Sequence, residues 1–204
     1  MYINLIQLVA FAALASCQTP PDYSPTTRRP LTVKYDDLTI VPDALVSQNA
    51  TTQQPAISLP HHLRCKEVYM LLMLDLSLPT GNLPSNLTYA HTVHGIGANR
   101  TTYLHWFQGN LTHSPTSNLL VPLPDTETIA PYVPPSPNPG DIAHIYAFYL
   151  FRQPKDFALS SVNAGRVLFP AETYDRIGFS VQDVAKEKGV ELVAGNYFRM
   201  QTPA

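Results

Sequence analysis

Charge is scarce in this chain. Only 14% of its 204 residues are Asp, Glu, Lys or Arg, against roughly 25% in a typical domain. The 13 basic and 15 acidic residues leave a net charge of −2, and they are scattered. No basic stripe forms, so nucleic acid is not an expected partner. Two cysteines, Cys17 and Cys65, are too few for a disulfide framework. No apolar run reaches the roughly 20 residues that a transmembrane helix needs. There is no G-x-S-x-G elbow, no P-loop, no H-E-x-x-H and no paired C-x-x-C. His61-His62 and the His91/His94 pair lack further ligands at a metal-binding spacing. Neither a metal nor a cofactor is expected, and no catalytic residue can be named from motifs.

Proline is abundant instead. The chain has 20 prolines, about twice the usual share. Proline removes a helix hydrogen bond and clashes with the preceding turn, which excludes an all-helical bundle. Hydrophobic residues make up 45%, which excludes disorder of the high-charge, low-hydrophobicity kind for the bulk of the chain. Many short strands joined by Pro-rich loops, in one domain, fit this balance.

The first residues, Met1 to Cys17, carry no charge, and Leu5 to Ala15 is mostly apolar. That is the length of a signal-peptide core, with small-x-small cleavage options at Ala13-Leu14-Ala15 and Ala15-Ser16-Cys17. A buried N-terminal helix and a lipoprotein box ending at Cys17 are the alternatives. Four sequons favour the signal peptide: Asn49-Ala50-Thr51, Asn86-Leu87-Thr88, Asn99-Arg100-Thr101 and Asn110-Leu111-Thr112. Together with the leader they make a secreted glycoprotein the coherent reading, with Asn49, Asn86, Asn99 and Asn110 as acceptors. Residues 18–30, with Pro20, Pro21, Pro25 and Pro30, read as an extended linker. Residues 31–204 form the domain.

Within that domain Leu31, Val33 and Tyr35 alternate with polar residues, as in a half-buried strand. The run Val68 to Leu76 fits a strand buried on both faces, although periodicity alone does not exclude a buried helix. Thr80 to Arg100 is rich in Gly, Asn and Pro and reads as largely loop, and Gly95-Ile96-Gly97 as a glycine pair of little consequence. Thr102 to Phe107 is short, aromatic and strand-like. The prolines between Pro122 and Pro139 leave no room for a regular element. Ile142 to Phe151 is β-branched and aromatic, a strand. Ser180 can cap a helix that Gly189 ends. Val193 to Phe198 looks like a last strand. The fold expected is mainly β, antiparallel, with few helices.

Three polar residues are out of place in these apolar strands: Asp75, His105 and His144. The two-residue period puts His144 and Tyr146 on one sheet face. A buried carboxylate is costly unless it is paired. Asp75 set against one or both histidines would favour imidazolium and orient its N–H donors. Two histidines and a tyrosine around a carboxylate make a small donor-rich pocket. Separately satisfied core histidines are the competing reading.

At this point the residues resemble a family. Asp75-Leu76-Ser77-Leu78-Pro79 resembles the Asp-Pro-Asp-Ala-Pro motif of the phosphatidylethanolamine-binding proteins. Leu104-His105-Trp106 resembles the short His-containing strand that follows in fungal secreted members. Tyr132-Val133-Pro134-Pro135-Ser136-Pro137, with Gly140 through Tyr146, resembles their Tyr-x-Pro-Pro-x-Pro…Gly-x-x-His-Arg-Tyr segment. Phe151-Arg152-Gln153-Pro154 and Val193 to Phe198 look like later landmarks. The resemblance implies a β-sandwich around a large antiparallel sheet, with an edge pocket for phosphate-type groups. It implies Asp75, His105, His144 and Tyr146 as pocket residues, and Pro79 and Pro137 as rim prolines. The second acid and the Arg of the family motifs are replaced here by Ser77 and Ile145. That implies a thinned charge network, a more apolar and open pocket, and weak phosphate binding. With the chain ending soon after Phe198, a C-terminal helical lid is expected to be absent or minimal.

Three functions follow. The first is a secreted binding module for a small anionic or amphipathic ligand. The second, by analogy alone, is a peptidase inhibitor or regulator with a protein partner. The third is an accessory protein, or a cyclase or isomerase, of a fungal natural-product pathway, using the histidine pair as acid and base.

Overall fold

A computed structural model of the chain describes residues 17–59, 67–126, 128–155, 157 and 173–204. All but the last residue of the leader, the His61-His62 pair and Cys65 lie outside the described residues. The strands are β1 (Thr32–Tyr35), β2 (Leu38–Thr39), β3 (Ala44–Leu45), β4 (Ala56–Ser58), β5 (Tyr69–Pro79), β6 (Arg100–His113), β7 (Leu120–Pro122), β8 (His144–Arg152) and β9 (Leu192–Met200). The helices are α1 (Thr88–Thr92) and α2 (Val181–Lys188). Six strands form the central sheet in the order β3-β9-β8-β5-β6-β7, and β2-β1-β4 form a small second sheet. All pairings are antiparallel except β3 with β9, which is parallel.

The apolar run of β5 is a strand at the centre of that sheet, and its two faces feed two cores. Tyr69, Leu71 and Met73 pack with Val33, Tyr35 and Ile57 of the small sheet. Met70, Leu72, Leu74 and Leu76 pack with Phe179, Val181 and Val184 on the α2 side. Strand β8 divides in the same way: Tyr146, Phe148 and Leu150 join the first core, and Ala147, Tyr149 and Phe151 the second. This is the two-residue period of a strand covered on both sides. Helix α2 follows its sequence signals. The Ser180 hydroxyl accepts from the Asp183 amide at 3.1 Å, and Gly189 ends the helix at φ 58°.

Two expectations need correction. Residues 18–30 are no free linker. Thr19 and Tyr23 are buried, the Gln18 amide donates to the Thr27 carbonyl, and Pro30 bridges to Gly195. Proline-rich composition reports the lack of regular structure, not the lack of contacts. Thr80 to Arg100 is largely loop, as expected, around the short α1, whose Ala90 is buried. Strand β6 is longer than expected, because its polar half, Gln108 to His113, pairs with β5 and β7.

Candidate functional site

Strand register brings the odd polar residues together. Asp75 on β5 lies opposite Tyr146 on β8 and opposite Tyr103 on β6. His144 and Tyr146 share a face of β8, their rings stacked at 6.4 Å. His105 reaches the same place through an irregularity. Met73 pairs with Trp106 while Leu74 pairs with Leu104, so His105 is an extra residue, a β-bulge. A second register shift, between Asp75 and Leu78, sits on the opposing strand. Bulges re-aim side chains and concentrate beside functional sites.

These residues line a cavity of about 200 Å³. All six residues expected at a ligand site face it: Asp75, Pro79, His105, Pro137, His144 and Tyr146. Leu78, Tyr103, Val133, Pro134, Ser136 and Asn138 complete the wall. Asp75, His105, His144 and Tyr146 are each buried to 5% exposure or less. Pro137 belongs to the Pro-rich segment, which lines the cavity without regular structure. The Ser136 backbone of that segment lies beside the Tyr146 hydroxyl.

The two histidines have opposite environments. The His144 Nδ1–H donates to Asp75 Oδ2 at 2.7 Å, and its Nε2–H to Asp141 Oδ2 at 3.1 Å. A ring placed between two carboxylates needs both protons, because a bare nitrogen would face an anionic oxygen. Burial alone would lower the His144 pKa, but the bonds and charges of Asp75 and Asp141 raise it above its ordinary value. His105 instead donates Nδ1–H to the Val133 carbonyl at 2.7 Å. Burial drives its pKa down, outweighing the attraction of Asp75. His105 is therefore the neutral tautomer, and its Nε2 is a lone-pair acceptor. The pocket is less donor-rich than two imidazolium rings would make it, because Asp75 bonds one histidine and not both. Burial also holds the Tyr146 phenol far above its ordinary pKa, so it remains an O–H donor.

Two residues that no motif marks complete the charge network. Asp141 is held by Arg100 through a bidentate pair at 2.7 and 2.8 Å. Asp141 stands three residues before His144, and Arg100 opens an apolar strand. Those positions are the only signal in the sequence, and the pairing joins residues 41 apart. The network expected to be thinned is thus rebuilt with other residues. Arg176 is a third such residue. It is buried, and its guanidinium donates to the carbonyls of Leu104, His105 and Pro131, pinning the bulge to the Pro-rich segment.

Among the described residues no cluster of His, Cys, Asp and Glu is arranged to hold a metal ion. None of the described helices is long and apolar enough to cross a membrane. Of the sequon asparagines, Asn49, Asn86 and Asn99 are exposed. Asn110 is half-buried, with its amide and side chain bonded to Gln153.

A two-sheet β fold with a small cavity lined by four buried polar side chains at the end of its central strands is that of a ligand-binding class of protein. The phosphatidylethanolamine-binding protein family model matches residues 36–198, and the chain belongs to that family. It is 28% identical over 207 residues to "Phomoidride biosynthesis cluster protein N" of Talaromyces stipitatus, covering 94% of this chain and 93% of that one. Its fold is similar to the carboxypeptidase Y inhibitor solved with its cognate proteinase. There the TM-score is 0.63 and the identity 20%, with 88% of this chain and 86% of the other covered. It is also similar to the phosphatidylethanolamine-binding protein of Plasmodium vivax, with a TM-score of 0.60, 20% identity and 84% of both chains covered.

Proposed function

We propose that the protein binds a small polar or amphipathic ligand in the cavity between Asp75, His105, His144 and Tyr146, and that it binds phosphate weakly. One observation carries this reading. Four polar side chains are buried together at one end of the central sheet, and all of them line one cavity. Burying polar groups costs free energy that a core of Leu and Phe would not incur. Ligand sites are concave and mostly apolar with a few convergent polar groups. At about 200 Å³ the cavity is smaller than the roughly 300–1,000 Å³ of a drug-sized site. It suits a headgroup or a short polar end, with any apolar remainder projecting past Pro79 and Pro137.

The test is a titration with inorganic phosphate and with O-phosphoethanolamine, followed by NMR. The rings of His105, His144 and Tyr146 should shift together, with dissociation constants in the millimolar range or above. Tight phosphate binding at physiological salt would refute the weak-anion part. Unmoved resonances at all three residues, with every probe including the neutral one used below, would refute the site.

A second reading is favoured by the opposed protonation of the two histidines. Pairs of titratable groups pushed apart in pKa are the arrangement of general acid–base catalysis. Here His105 Nε2 would take a proton, and Tyr146 O–H would polarise or protonate a ligand oxygen. The fungal relative named for a biosynthesis cluster supports a role of this kind on a pathway intermediate. In a host strain, His105→Gln should reproduce the metabolite profile of a full gene deletion. A wild-type profile in that variant would eliminate the catalytic reading and leave the binding one.

A further inference from the structure

The His144 ring lines the cavity, yet neither of its N–H groups is left for a ligand. Nδ1–H is spent on Asp75, and Nε2–H on Asp141. Asp141 is no casual neighbour. Oδ1 accepts from Arg100 Nη2 at 2.7 Å and from the Ile142 amide at 2.7 Å. Oδ2 accepts from Arg100 Nη1 at 2.8 Å as well as from His144. Arg100 is itself anchored, since Nη1 also donates to the Ser77 carbonyl at 3.0 Å. Both partners of this pair are mostly covered, at 14% and 16% side-chain exposure. Charge-assisted bidentate pairs of this geometry are among the stronger polar contacts in proteins.

Within this network the charges balance: Asp75 and Asp141 are met by protonated His144 and Arg100, and His105 adds none. Arg176, a further cation beside His105, is engaged by the carbonyls of Leu104, His105 and Pro131. An arriving phosphate finds the imidazolium donor already occupied by a carboxylate, and no surplus of positive charge in that network. With Asp75 and His144 bonded to each other, the buried pair left for a ligand is one acceptor, His105 Nε2, and one donor, Tyr146 O–H; Tyr103 and Asn138 add polar groups to the wall. That pair fits a neutral group carrying a donor beside an acceptor, such as a primary amide, a hydroxy-ketone or an un-ionised acid.

We propose that Asp141, gripped by Arg100, is an internal anion that occupies His144 and sets the specificity of the pocket against phosphate-type anions and toward small neutral hydrogen-bonding ligands. This rests on the ligand-site reading above.

The experiment uses inorganic phosphate as the anionic probe and acetamide as the neutral one, with NMR detection. The proteins are wild type, Asp141→Asn, Asp141→Ala and the Arg100→Gln/Asp141→Ala double variant. The near-isosteric Asn variant guards against a folding defect in the Ala variant. Acetamide should shift His105 and Tyr146 in the wild type. Phosphate binding should strengthen at least about tenfold on loss of the Asp141 charge, about 1.4 kcal/mol. The double variant should keep most of that gain, because its net charge equals that of the wild type while the His144 donor stays free. Phosphate affinity unchanged in Asp141→Asn, with acetamide still binding the wild type, overturns the role of Asp141 and leaves the ligand site standing. A gain that vanishes in the double variant also overturns it, by assigning the effect to a released Arg100 charge. Failure of both probes to shift any pocket residue in any of the four proteins removes the ligand site itself.

Discussion

Replacing Asp75 by alanine is expected to cost about 3–5 kcal/mol, the range for removing one partner of a buried ion pair. Asp75 is 3% exposed and holds two donors, the Ser77 amide at 2.7 Å and the His144 ring at 2.7 Å. Its loss strands a buried imidazolium and leaves the bulge in β5 without its side-chain tie. The sign of the pH dependence follows from His144, whose folded pKa is raised by these carboxylates once their attraction has overcome burial. A raised histidine stabilises the fold fully below its unfolded pKa, about 6.5, and that increment is lost as pH rises through the folded value. The deficit of Asp75→Ala should therefore be largest in mildly acidic solution and shrink above the folded His144 pKa, where the wild type has lost its own increment. Burial lowers the His105 pKa, and losing the attraction of Asp75 lowers it further in the variant, so His105 adds to the deficit on the acid side. Urea unfolding of both proteins across that window, with the His144 ring followed by NMR, measures the effect. An equal deficit at every pH would show that Asp75 acts as a backbone cap for Ser77 and not as the partner of a charged His144.

The parts of this fold that depend on local pattern were readable in the chain. The run Val68 to Leu76 becomes the central strand, and its alternation assigns Met73 and Leu74 to different cores. His144 and Tyr146 share a face because two residues separate them. Ser180 and Gly189 bound α2 as their chemistry requires. The parts that depend on register were not readable. His105 reaches the pocket only because β6 carries one more residue than β5 between Leu104 and Trp106, which is a property of two strands. The Arg100–Asp141 pair, 41 residues apart, closes only after β6 and the approach to β8 are both in place. Thr19 and Tyr23 look like linker residues because docking onto a distant surface leaves no periodic mark. The family motifs lead to residues that line one cavity, yet their missing acid and arginine point to a depleted network. The chain supplies both charges from other positions, and it turns the new carboxylate onto the histidine.

Gly95 is the residue whose substitution should be felt most widely for its size. Read in the sequence it was a glycine in a loop. In the fold, a Cβ there would stand 2.3 Å from the Leu76 carbonyl oxygen and 2.6 Å from that of Thr101. Both obstacles are backbone, so neither can swing away as a flexible side chain would. They also belong to β5 and β6 on either side of the site bulge. The loop is tied there by Ile96 N–H to the Leu76 carbonyl at 2.6 Å and by Gly95 N–H to the Arg100 carbonyl at 2.9 Å. Gly95→Ala must break these contacts or spread the strands, and overpacking of this kind costs about 1–3 kcal/mol, occasionally more. At about 3 kcal/mol the melting temperature falls by about 6–12 °C, given roughly 2–4 °C per kcal/mol for a domain of this size. The disturbance falls next to Ser77 and Arg100, so the His144 resonances should move as well, although Gly95 does not line the cavity. Gly81→Ala is the control, because nothing lies within 4 Å of its Cβ position, and it should melt as the wild type does. Equal melting temperatures for the Gly95 and Gly81 variants would mean that the loop yields freely, and that the bulge beside Asp75 is not braced from behind.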